Sequence, residues 1–153
     1  MHHIVFVCKG NICRSAFAEF YLRKLLLDKN IKIDSCGLDV DQGTQSPQDA
    51  VLVAREFEVD LSDHISKGLP ACDLQKADLI VTMEFSQYLR LITKIPEYKK
   101  KTFILSEFAP WPACLMCNIY DPFGLGEDEF RRCFQKTKFS LDRLKNLISI
   151  SQI

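Results

Sequence analysis

Apolar residues along this chain follow two alternating rhythms. Ile4-Val5-Phe6-Val7, a continuous apolar run with branched residues, reads as a buried strand, and Ile31 to Cys36, Asp78 to Thr82 and Thr102 to Leu105 read as three more strands. Between them the apolar positions recur at helical spacing. Phe17, Phe20, Tyr21 and Leu25, with Leu22 and Leu26 beside them, predict a helix from about Arg14 to Asp28 with much of its surface buried. Ser46-Pro47 reads as a helix start, serine as cap and proline in the first turn, followed by Ala50, Val51, Ala54 and Phe57. Phe85 to Ile92 predicts a third helix that ends before Pro96. A proline-rich loop, Pro110 to Pro122, carries Trp111, Cys114 and Cys117. The last helix opens on Glu127-Asp128-Glu129, charges suited to a helix N-terminus. It keeps Phe130, Cys133, Phe134, Thr137, Leu141, Leu144 and Ile148 on one face.

Strands that alternate with helices imply β-α-β units. The expected fold is α/β, a doubly wound four-stranded parallel sheet with helices on both faces. A ligand site then belongs beyond the carboxyl end of the first strand. No repeat or linker interrupts the pattern, so residues 1–153 are expected to form a single domain.

Composition narrows the picture. The 20 basic and 20 acidic residues cancel, leaving no global field to favour nucleic acid or an acidic membrane. Lys99-Lys100-Lys101 is the only basic run and reads as a solvated surface turn. No apolar stretch reaches membrane-spanning length, and no signal peptide precedes the first strand. Seven cysteines is an odd number in a chain large enough not to need staples, which favours free thiols and a cytoplasmic location.

The chemistry lies in Cys8-Lys9-Gly10-Asn11-Ile12-Cys13-Arg14-Ser15, a tight loop between the first strand and the first helix. Such a loop aims backbone N–H groups and a positive helix end at whatever sits over it. Gly10 lets the loop curl. Arg14 supplies a planar fork for two phosphate oxygens. Cys8 lies in a field that favours the thiolate. A thiolate under a cradle for a tetrahedral dianion suggests phosphoryl transfer through a phosphocysteine. A buried structural cysteine would need neither the Gly-Asn turn nor the arginine.

Val7 to Ser15 is similar to the phosphate-binding loop of the low-molecular-weight protein tyrosine phosphatases. Ser35-Cys36-Gly37 and Asp121-Pro122 extend the resemblance over nearly the whole chain. It implies hydrolysis of phosphotyrosine in protein substrates, with no cofactor and no metal. Asp-Pro alone is a common turn signal. The resemblance makes Asp121 the general acid and then base, with Phe123 lining the cleft where the family usually has a tyrosine. It also gives Asn11, Ser15, Ser35 and His64 supporting roles in holding the loop. Cys13 matches a cysteine that can form a reversible disulfide with the nucleophile. The chain is expected to act as a monomer, without membrane insertion or nucleic-acid partners.

Departures from the family pattern bear on substrate choice. Ala16 replaces the proline that usually follows Arg-Ser. No aromatic lies between Leu38 and Thr44, and Gly124 stands where some members have a second tyrosine. The same fold could instead serve phosphoarginine or arsenate, or capture phosphoproteins without turnover. Ile12, where phosphoarginine phosphatases tend to carry a small hydroxyl residue, argues against the first. Cys114 and Cys117 lie too close together and too near Asp121 for a comfortable match to an arsenate reductase, yet as two further cysteines they keep that alternative open. As a C-x-x-C they lack a second ligand pair and read as incidental or weakly redox-active thiols. The presence of both Cys8 and Asp121 argues against a binding module.

Overall fold

The computed structural model describes residues 1–115 and 118–150. Four parallel strands, β1 (His3–Cys8), β2 (Lys32–Gly37), β3 (Leu79–Thr82) and β4 (Thr102–Ile104), form one sheet in the order β2-β1-β3-β4. Four helices connect and follow them: α1 (Arg14–Leu25), α2 (Gln48–Glu56), α3 (Phe85–Lys94) and α4 (Glu127–Ile150). None of the described helices is long and apolar enough to cross a membrane.

Alternation along β1 divides the core. Ile4 and Phe6 join Leu79 and Val81 against α1, α2 and α4 on one face. Val5 and Val7 join Cys36, Ile80 and Leu91 of α3 on the other. Strands covered on both faces have no polar side to show, which is why β1 reads as an unbroken apolar run. The larger core is built on rings: Phe17 of α1 stacks on Phe134 of α4 with centroids 4.0 Å apart, and Phe57 meets both edge-on. From β1 the chain passes to β2 on one side and β3 on the other. The carboxyl end of β1 therefore opens into the crevice where such sheets bind ligands.

The expected elements are all present, with shifted ends. α1 stops at Leu25, short of Asp28, its last turn carrying Arg23 and Lys24 against the negative helix end. β4 ends at Ile104, and Leu105 begins a 3-10 turn that runs to Phe108. The reading of Ser46 as a cap is corrected. Pro47 occupies the cap position and α2 begins at Gln48. The Ser46 hydroxyl is buried without a hydrogen-bond partner among the described residues. The basic run is also more than a solvated turn. Lys101 Nζ lies over the Tyr98 ring and donates to the carbonyls of Leu74, Gln75 and Ala77, each at 2.8 Å.

Candidate active site

Cys8 is the last residue of β1, and only 2% of its surface is exposed. Its sulfur accepts the Asn11 amide at 3.2 Å and lies 3.0 Å from the Ser15 hydroxyl in the first turn of α1. The loop reverses at Asn11, whose φ of 52° lies in the left-handed region that Asn tolerates better than most residues. That conformation is held from every side. The Asn11 side-chain amide donates to Ser15 Oγ at 2.9 Å and to Ser35 Oγ at 2.7 Å. Its side-chain oxygen accepts the Lys67 amide at 2.9 Å, and its carbonyl lies 2.6 Å from His64 Nε2. A carbonyl only accepts, so that contact places the imidazole proton on Nε2. Ser35 donates in turn to Glu19, a carboxylate buried in α1 and paired with Arg23 at 2.6 Å. The supporting residues expected from the sequence, Asn11, Ser15, Ser35 and His64, thus form one connected network.

Gly37 lies where β2 passes beneath the loop. A Cβ there would sit 2.7 Å from the Lys9 carbonyl oxygen and 3.1 Å from the Asn11 nitrogen, so only glycine permits the approach. Leu38 and Asp39 continue the contact, donating their amides to the carbonyls of Cys8 and Lys9 at 2.9 Å each.

Arg14 opens α1 and is 2% exposed. It donates to Glu84, to the Ile119 carbonyl at 3.1 Å, and to Asp121 Oδ2 at 2.7 Å. Burial works against the charged guanidinium, yet Cys8, Asp121 and Glu84 outweigh it and its pKa lies above the ordinary arginine value. Asp121 reaches the site from the loop before α4, with the Phe123 amide on its other oxygen at 3.3 Å.

Cys8, Lys9, Gly10, Asn11, Ile12, Cys13, Arg14, Asp39, Asp121 and Phe123 line one open cleft of about 200 Å³. Loop residues 8–14, Asp121 and Phe123 thus meet in a single place, while Ser15 lies beneath the loop beside the Cys8 sulfur. Phe123 stands at the rim, and Gly124 beside it has a φ of 78°. A tyrosine at Gly124 would be strained, so Phe123 is the ring this backbone can carry there. The Cys13 thiol, which also lines the cleft, is pushed up by burial and by the charges of Asp121 and Cys8. Cys114 is half-buried, while Cys117 lies outside the described residues, so the C-x-x-C reading is not placed.

Sequence reasoning missed Glu84, Glu19, Lys67 and Asp39. Glu84 follows β3 almost directly, and the end of a strand next to β1 is a signal that could have found it. Glu19 lies one helical turn beyond Ser15, on the same side of α1. Lys67 contributes a backbone amide, for which side-chain identity carries no signal. Asp39 accepts from both terminal nitrogens of the Arg90 guanidinium, at 2.6 and 2.9 Å, a pair distant in sequence.

A buried cysteine, an arginine and a carboxylate meet in a hollow at the end of β1 of an α/β sheet, an arrangement chemically suited to phosphoryl transfer. Residues 3–151 match the family described as low molecular weight phosphotyrosine protein phosphatase, and the chain belongs to that family. The probable low molecular weight protein-tyrosine-phosphatase AmsI of Erwinia amylovora is 31% identical over 150 residues, covering 97% of this chain and 99% of the relative. The crystal structure of the low molecular weight protein tyrosine phosphatase from T. tengcongensis superposes with a TM-score of 0.84 at 30% identity, over 100% of both chains. YwlE arginine phosphatase from Geobacillus stearothermophilus superposes with a TM-score of 0.88 at 27% identity, over 99% of this chain and 96% of that one.

Proposed function

We propose that the chain hydrolyses phosphotyrosine in proteins, and aryl phosphate monoesters generally, through a phosphocysteine on Cys8. The observation that carries the reading is the Cys8 sulfur, framed by the Asn11 amide and the Ser15 hydroxyl, in the cleft that Arg14 and Asp121 also line. Phosphate oxygens take the donors of Arg14 and the loop. The sulfur attacks phosphorus as the aryl oxygen leaves, and Asp121 gives that oxygen its proton. Asp121 then takes a proton from water, whose oxygen attacks the phosphocysteine. Inorganic phosphate departs and the sulfur regains its electron pair. Ser15, beside the sulfur, stabilises the anion as it leaves. Lys9, Gly10, Ile12 and Cys13 complete the cradle, and Phe123 packs on the substrate ring.

The test is turnover of para-nitrophenyl phosphate and of phosphotyrosine, phosphoserine and phosphoarginine peptides by wild type and Cys8→Ser. Wild type turns over the aryl esters and Cys8→Ser does not. Activity surviving in Cys8→Ser overturns the mechanism. Preference for phosphoarginine moves the substrate class toward that named for the Geobacillus relative; the apolar Ile12 side chain in the cleft argues for the tyrosine reading.

Two finer points belong with this reading. Cys13 protects the nucleophile: peroxide converts the Cys8 thiolate to a sulfenic acid, and the Cys13 thiol displaces water to form a disulfide that added thiol reduces. Recovery from peroxide should therefore be poorer in Cys13→Ser, and equal recovery overturns the role. Cys8, Cys13, Cys36, Cys72, Cys114 and Cys133 are all free thiols, which fits work in the cytoplasm.

A further inference from the structure

Asp121 is a partition between two cavities. On its front it lines the cleft with Cys8 and Arg14. On its back it lines a second cavity of about 220 Å³, set between the segment 119–125 and α4. We infer that this rear cavity binds a small organic anion with an aromatic body, and that its occupancy controls the position of Asp121.

The walls determine the ligand class. Tyr120 and Leu125 stand at the mouth, 68% and 64% exposed, with Ile119 and Pro122 buried beneath them. Exposed side chains of that size flanking a hollow offer a flat apolar body something to cover. Opposite them α4 presents Arg132 and Lys136, one turn apart and so on the same face. Arg132 is held by Glu129 at 2.5 Å. Lys136 makes no ion pair with any described residue. Asp121 directs its charge forward to Arg14, so Lys136 leaves one positive charge uncompensated at the back. Lys136 also borders a smaller hollow of about 50 Å³ with Ile119 and Phe139, which extends the apolar surface beyond the ammonium. An anionic head on Lys136 with an aromatic body against Tyr120 and Leu125 fits these groups; a cation or a neutral sugar does not.

Control follows from how thin the partition is. A single strand of chain separates the rear cavity from Arg14. Its Ile119 carbonyl and its Asp121 carboxylate are both bonded to the guanidinium, and its Ile119 amide donates to the Met83 carbonyl at 2.9 Å. A body seated behind this strand presses on the residue that must leave Arg14 when phosphate arrives. The binding half of the inference is independent of the proposed function; the kinetic half rests on Asp121 as the general acid.

Naphthalene-2-sulfonate is the probe, titrated into the full chain by calorimetry and by amide NMR shifts, with and without saturating inorganic phosphate in the cleft. Expected is binding that phosphate does not displace, with shifts at residues 119–125 and 132–136. Lys136→Gln weakens it about tenfold, the loss of one charge-assisted contact. The probe should also change the ratio of kcat for phenyl phosphate to kcat for para-nitrophenyl phosphate in wild type, but not in Lys136→Gln. Displacement by phosphate, or unchanged affinity in Lys136→Gln, overturns the site. Binding as expected with an unaltered kcat ratio overturns the control. If Asp121→Asn itself fails to alter that ratio, the acid assignment falls while the binding result stands.

Discussion

Replacing Asn11 with alanine tests the idea that the phosphate loop is held in shape from behind. The side chain makes three hydrogen bonds at 2.7 to 2.9 Å in a fully buried position. At about 1 kcal/mol each, their loss costs about 3 kcal/mol. Alanine at a φ of 52° adds up to about 1 kcal/mol, because its Cβ lacks the local hydrogen bonding that lets Asn adopt the left-handed region. The expected destabilisation is about 3–4 kcal/mol, which a domain with the usual 5–15 kcal/mol survives. Asn11→Gly separates the two terms: it loses the same bonds without the backbone penalty, so it should be about 1 kcal/mol more stable than Asn11→Ala. Urea unfolding followed by circular dichroism reads both. Since the Asn11 amide is a direct neighbour of the Cys8 sulfur, kcat/KM for para-nitrophenyl phosphate should fall at least about tenfold in each, about 1.4 kcal/mol of transition-state stabilisation. An unchanged urea midpoint with full activity in Asn11→Ala, or an alanine variant more stable than the glycine one, would refute the reasoning.

Other consequences are open to single measurements. Burial works against the charged Asp34 carboxylate, but Lys32, Lys67 and His3 outweigh it and hold it below its ordinary value. Its charged form therefore favours the fold above the ordinary carboxylate range, and that contribution disappears as pH falls through the lowered value. Asp34→Asn should accordingly unfold more easily than wild type at pH 7, with the difference in urea midpoint shrinking below about pH 4; a constant difference would remove the ionic explanation. Phe134→Ala removes a fully buried ring stacked on Phe17 and should cost about 3–5 kcal/mol, read as a lower Tm with little change in KM among molecules that remain folded. Burial pushes the Cys133 thiol up to about 12, so iodoacetamide at pH 8 should leave it unmodified in the folded chain and label it in urea; rapid labelling of folded protein would contradict its placement.

What the sequence made legible was whatever is local. The order of elements, the covered strands and the loop after β1 depend on neighbours within a few residues, and apolar spacing reports them directly. Asp121 and Phe123 needed a family resemblance, because an Asp-Pro turn looks the same wherever it occurs. Glu84 and Asp39 were out of reach for a related reason. Each meets its arginine across 70 and 51 positions of chain, and a single sequence does not reveal which acid will face which base. Ser46 was misread because Ser-Pro satisfies the local rule for a helix cap, while the chain enters α2 with Pro47 at the cap and the serine hydroxyl turned inward.

The electrostatics of Arg14 yield a final test. A guanidinium so deeply buried requires anions, and Glu84 and Asp121 supply them. Glu84 sits just beyond β3 and is bonded also to the Gln87 side-chain amide at 3.0 Å, whereas Asp121 is the partner that also lines the cleft. An arriving phosphate dianion brings charge to the place Asp121 neutralises in its absence. Exchange at Arg14 would free the Asp121 carboxyl just as a leaving oxygen comes to need a proton. Under the proposed mechanism Asp121 is then a competitor of phosphate as well as its helper. Asp121→Asn should lower kcat yet bind inorganic phosphate more tightly, by about fivefold for one half-exposed ion pair worth about 1 kcal/mol. Competitive inhibition by phosphate, measured at low salt where the pair is least screened, reads that change. Phosphate binding that stays equal or weakens in Asp121→Asn would mean that the contact at 2.7 Å does not hold the guanidinium against substrate, and that Asp121 must be released by some other event.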